Sequence, residues 1–98
     1  MKPMKVVELK GMDDHMTTTV YARFVLNADG RVEIMGVSPH GKAVAEDLVQ
    51  HGIRGAGRIL TPADGELFLK YLSQEFRGTR LWADAIREMS AEDAQRKP

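Results

Sequence analysis

The sequence predicts an α+β domain, with an antiparallel sheet of three to four strands and two or three helices packed on one face. Three observations predict it. Apolar and polar residues alternate from Thr17 to Leu26 and again from Arg31 to Val37. The turn-forming run Asn27-Ala28-Asp29-Gly30 separates those two stretches. Two later stretches have helical periodicity, and each follows a hydroxyl residue and a proline. With 98 residues the chain is long enough for one core, burying roughly 65% of the surface its unfolded form exposes. Residues 1–89 are read as a single domain. The small, polar and charged run 90–98 is read as a frayed tail.

Val6, Val7 and Leu9 alternate with Glu8 and Lys10, which predicts a first strand over residues 4–10, ended by Gly11 and the acidic Asp13-Asp14. In the second strand Val20, Ala22, Phe24 and Leu26 share one face, and Thr19, Tyr21, Arg23 and Val25 the other. Val32 and Ile34 continue the first of these faces after the turn, so the two stretches read as a hairpin. One apolar face of this kind needs a cover.

Val44, Ala45, Leu48 and Val49 predict a helix over 41–51, and Phe68, Leu72 and Phe76, beside Leu67, Leu69 and Tyr71, predict another over 62–76. Ser38-Pro39 and Thr61-Pro62 place a hydroxyl at each N-cap and a proline at each first helical position, where its missing N–H does no harm. Asp64 sits where a capping-box acid belongs. Gly57 to Leu60 reads as a short edge strand. Thr79 to Met89 can be read as helix or strand; Leu81, Ala85 and Met89 at helical spacing with Trp82 and Ile86 favour a third helix over 80–89.

Composition narrows the function classes. Fourteen Lys and Arg balance fourteen Asp and Glu, so no global field draws in nucleic acid or an anionic bilayer. The absence of cysteine excludes a disulfide framework, a thiolate nucleophile and sulfur-ligated zinc, and fits a reducing cytoplasm. No long apolar run is present, so neither secretion nor membrane insertion is expected.

Gly36-Val37-Ser38-Pro39-His40-Gly41-Lys42-Ala43 has the spacing of a phosphate-binding loop. It lacks the hydroxyl residue that should follow the lysine, and Pro39 removes a loop amide, so it reads as a strand end and a helix start. His15, His40 and His51 lack metal-ligand spacing, and no serine lies in a nucleophile elbow. No catalytic residue, metal or cofactor is expected. Gly52-Ile53-Arg54-Gly55-Ala56-Gly57-Arg58 is a candidate anion-binding loop, in which Gly55 and Gly57 permit tight curvature and Arg54 and Arg58 supply forked donors. The competing reading is a helix stop followed by a connector with solvated arginines.

Leu60-Thr61-Pro62-Ala63-Asp64-Gly65-Glu66-Leu67-Phe68-Leu69-Lys70-Tyr71-Leu72, followed by Phe76-Arg77-Gly78-Thr79-Arg80-Leu81-Trp82-Ala83, resembles a pattern in small uncharacterised bacterial proteins. The resemblance implies a bacterial origin and the order hairpin then helices, and no activity. The expected function is a non-enzymatic protein-interaction or self-associating module of a bacterial cytoplasm. The interface candidates are Trp82 and Arg80, together with Tyr21, Met35 and Val37 on a sheet face expected to be partly open. The alternative is a small anionic-ligand-binding module using the Gly52–Arg58 loop.

Overall fold

A computed structural model describes residues 3–12, 14–37, 39–55, 57–78 and 80–95. Two long strands, β1 (Met4–Met12) and β2 (Thr18–Leu26), pair antiparallel from Lys5 opposite Leu26 to Met12 opposite Thr18. A third strand, β3 (Val32–Gly36), joins β2 with Phe24 opposite Ile34. The turn between them is closed by the Asn27 N–H on the Arg31 carbonyl (2.8 Å) and the Gly30 N–H on the Asn27 carbonyl (3.0 Å). Gly30 adopts φ +85°, the left-handed angle for which glycine suits the position.

The alternation predicted for β2 is interrupted once. Leu9 faces Ala22 but Lys10 faces Val20, so Tyr21 is an extra residue in the ladder. Such a bulge reverses the faces of the residues beyond it. Tyr21, predicted on the outer face, therefore packs against the main core.

The remaining edge of β1 is filled from the C-terminal part of the chain, and here the structure corrects a helix expected over 80–89. These residues form two short strands, labelled β6 (Leu81–Ala83) and β7 (Arg87–Met89), which pair with successive stretches of β1. The spacing of Leu81, Ala85 and Met89 is compatible with a helix, but an unpaired β1 edge would leave main-chain groups without partners. Ala83 lies opposite Leu9 and is fully buried, and the Asp84 N–H bonds the Glu8 carbonyl at 3.0 Å. The sheet has five strands in the order β3-β2-β1-β6, with β7 also on β1.

Two helices cover one face, as the periodicity predicts. Helix α1 (Pro39–His51) lies against β2 and β3, and α2 (Gly65–Glu75) reaches β1, β2 and β3. Phe24 and Phe68 are both fully buried, with ring centroids 6.1 Å apart at 55°. Around them pack Val7, Leu9, Ala22, Leu60, Leu69 and Leu72.

The proline-started second helix begins with a 3₁₀ turn (Pro62–Asp64) that runs into α2. The Thr61 N–H and hydroxyl both donate to the Asp64 Oδ2, at 3.0 and 3.1 Å. The Thr61 backbone bond, opposed by burial and helped by the Thr61 hydroxyl and the Arg58 guanidinium, holds the Asp64 carboxyl below its ordinary pKa of 3.8. The equivalent cap expected at Ser38 lies outside the described residues. Between α1 and the 3₁₀ turn, β4 (Ile53–Gly55) and β5 (Arg58–Leu60) form a separate two-stranded ribbon; the short strand expected over 57–60 is β5.

The opposite sheet face, expected to be partly exposed, is covered around Val6 and Val25 by a helix that was not expected. Val6 and Val25 are buried beneath Ala94 of a five-residue helix, α3 (Ala91–Gln95), with Met4, Met35 and Met89 around them. Ser90 caps that helix by accepting the Asp93 N–H at 3.1 Å. The tail expected to fray from residue 90 is thus helical to Gln95, and residues 96–98 lie outside the described residues. Among the described residues no helix is long and apolar enough to cross a membrane.

Candidate functional site

The Gly52–Arg58 segment does not form the open anion loop expected of it. Pairing places Gly55 opposite Arg58 and Arg54 opposite Ile59, so in a two-stranded ribbon the two arginines leave by opposite faces. Arg58 is already engaged, with its Nη2 2.8 Å from the Asp64 Oδ1. Gly57 supplies the turn at φ +78°. Gly55 is needed for packing, because a Cβ there would lie 2.7 Å from the Cγ of Tyr71. A shallow groove of about 190 Å³ remains between Arg54, Gly57, Arg58 and Ile59. Among the described residues Arg54 has no carboxylate partner and Arg58 is paired with Asp64, which makes the groove a weak anion site.

The interface candidates separate into two groups. Met35 packs beside Val6, Val25 and Ala94, and Val37 is half-buried with its N–H on the Tyr21 carbonyl at 3.0 Å. Met35 is thus partly covered by α3, and Val37 lies just beyond the end of β3. Trp82 is different. It is half-buried in β6 opposite Lys10, which in turn faces Val20, and it lies outside the cluster under α3. No described residue bonds its indole N–H.

Tyr21 and Arg80 come together at the sheet end where α1 begins. With Met12, Asp14, His40 and Leu81 they line a pocket of about 300 Å³. The Tyr21 ring meets His40 edge-on, centroids 5.9 Å apart at 76°. Two glycines make this position possible: a Cβ on Gly11 would come within 2.7 Å of both the Tyr21 Cε2 and the Leu81 Cδ2, and one on Gly41 would collide with the Tyr21 main chain. Sequence reasoning treated His40 only as a failed metal ligand and missed this grouping. Its signal was the pair of glycines, one on each element flanking the tyrosine.

A buried charge cluster was also missed. Glu8 and Arg23 lie opposite one another on the face under α3, with side chains 5% and 10% exposed and the Arg23 Nε 3.1 Å from the Glu8 Oε2. Arg87 of β7 pairs with the other Glu8 oxygen, and the Arg23 Nη1 reaches the Asp93 carbonyl at 3.4 Å. The register that sets Glu8 opposite Arg23, and the α3 cover over them, cannot be read from either strand alone. Glu8 and Arg23 are enclosed between the sheet and α3 while Arg87 is half-exposed, so the cluster ties α3 and β7 to the sheet.

Compared with known protein families, curated proteins and solved structures, the chain matches none.

Proposed function

We propose that the protein is a non-enzymatic, self-associating module of a bacterial cytoplasm, with its contact centred on Trp82. The observation that supports this reading is a half-buried tryptophan on the sheet surface, outside the part that α3 covers, with its indole N–H free among the described residues. Tryptophan buries a large area for little loss of side-chain freedom and is enriched where interfaces are strongest. A second copy is the favoured partner because 14 basic and 14 acidic residues leave two copies without net repulsion. The cysteine-free composition suits a reducing compartment.

Sedimentation velocity over a concentration series tests this reading. The parent chain is expected to show a reversible monomer–dimer equilibrium, weakened more than about tenfold in Trp82→Ala, with the circular dichroism of the two chains superimposing. A strict monomer at the highest soluble concentration would end the proposal, as would a Trp82→Ala variant that dimerises like its parent.

A further inference from the structure

We infer that the pocket formed by Tyr21, His40 and Arg80 is a binding site for a small organic oxyanion, a carboxylate or phosphate monoester carrying an apolar body. The inference is independent of self-association through Trp82. It rests on what the pocket brings together. The Tyr21 hydroxyl and the His40 ring nitrogens have no hydrogen-bond partner among the described residues. Among the described residues the guanidinium of Arg80 pairs only with Asp14, at 3.8 Å, and these side chains are 72% and 99% exposed. A pair that exposed contributes at most about 1 kcal/mol, so an incoming oxyanion displaces Asp14 at little cost.

Arginine offers two parallel N–H donors matched to the oxygens of a carboxylate or phosphate, and the tyrosine hydroxyl and a histidine N–H can each add one donor. Met12 and Leu81 supply an apolar wall, which selects a ligand with a hydrocarbon part over a bare ion. The volume, about 300 Å³, is at the lower limit for small-molecule pockets.

The local backbone is shaped for this grouping. A regular β2 would put Tyr21 on the sheet face that α3 serves; the bulge turns it towards α1, and Gly11 and Gly41 leave room for it there. Bulges of this kind re-aim side chains beside binding sites. The same pocket contains neither Arg54 nor Arg58, so it is distinct from the groove on the β4–β5 ribbon.

The test is an NMR titration of the full chain with inorganic phosphate, phenyl phosphate and benzoate at constant ionic strength. Saturable shifts are expected at Met12, Tyr21, His40 and Leu81, with phenyl phosphate or benzoate binding more tightly than inorganic phosphate. Whichever of the two binds more tightly identifies the oxyanion. Arg80→Ala, at an exposed position, should keep the parent spectrum elsewhere and weaken binding roughly 10- to 100-fold. Tyr21→Phe, which keeps the ring packing, should weaken it several-fold. The inference is overturned if no probe gives saturable shifts, if the shifts map to Arg54 and Arg58, if inorganic phosphate binds as well as both organic probes, or if Arg80→Ala binds like the parent.

Discussion

Replacing Glu8 by Gln should destabilise the protein by roughly 3 kcal/mol, a loss of midpoint temperature on the order of 15 °C for a domain of this size. The carboxylate is 5% exposed and serves two arginines, Arg23 and Arg87. Arg87 is half-exposed and can turn to water when its partner is neutralised. Arg23 cannot, because its side chain is 10% exposed beneath α3, where it also reaches the Asp93 carbonyl at 3.4 Å. A buried cation that loses its closest carboxylate regains little hydration in exchange, so much of its desolvation penalty is no longer offset. The double change Glu8→Leu with Arg23→Met removes both charges and fills the same space, so it should fall within about 1 kcal/mol of the parent, or exceed it. Urea unfolding of the three proteins measures both effects. A Glu8→Gln variant within about 0.5 kcal/mol of the parent would mean that the pair is solvated, as at an ordinary surface site.

Phe68→Ala should remove about 3 to 5 kcal/mol, a large part of the stability expected for a small domain. Phe68 is fully buried and supplies the contact through which α2 meets the ring of Phe24 in β2. Truncation leaves a cavity between a helix and a sheet that are each held by several other contacts, so neither can collapse freely into the gap. Phe24→Ala should act similarly, and the double variant should lose less than the sum of the two, because the ring-to-ring contact is counted in both single changes. Denaturant midpoints give these values. A loss below about 1 kcal/mol for either single change would contradict the packing of α2 on the sheet.

Much of this architecture was legible because its signals are local. The alternation around Phe24, the turn ending at Gly30 and the helical period through Phe68 each fix an element from a few neighbouring residues, and Phe24 and Phe68 meet as the patterns require. What the sequence hid depends on pairing. The extra residue at Tyr21 exists only relative to the spacing of β1, so nothing within β2 announces it. Residues 81–89 have a helical period, and the open edge of β1 overrides it.

The C-terminal helix is a different case. Ser90 followed by Asp93 is a capping signal of the kind read correctly at Thr61 and Asp64, but a polar, charged composition outweighed it. With that helix in place Met35 packs beside Val25 and Ala94 and is half-buried. The candidate pocket was hidden for the same reason as the bulge. Its residues come from β1, β2, α1 and the start of β6, and only the register of the sheet brings them to one end.

The central structural claim is that one sheet is covered by α1 and α2 on one face and, around Val6 and Val25, by α3 on the other. Nuclear Overhauser contacts from the Ala94 methyl test it most directly. The account predicts strong contacts from Ala94 to the methyl groups of Val6 and Val25, in the same sample that shows Phe24 against Phe68. A spectrum with the aromatic contact present, but with Ala94 showing only sequential neighbours and Val25 open to solvent, would contradict it.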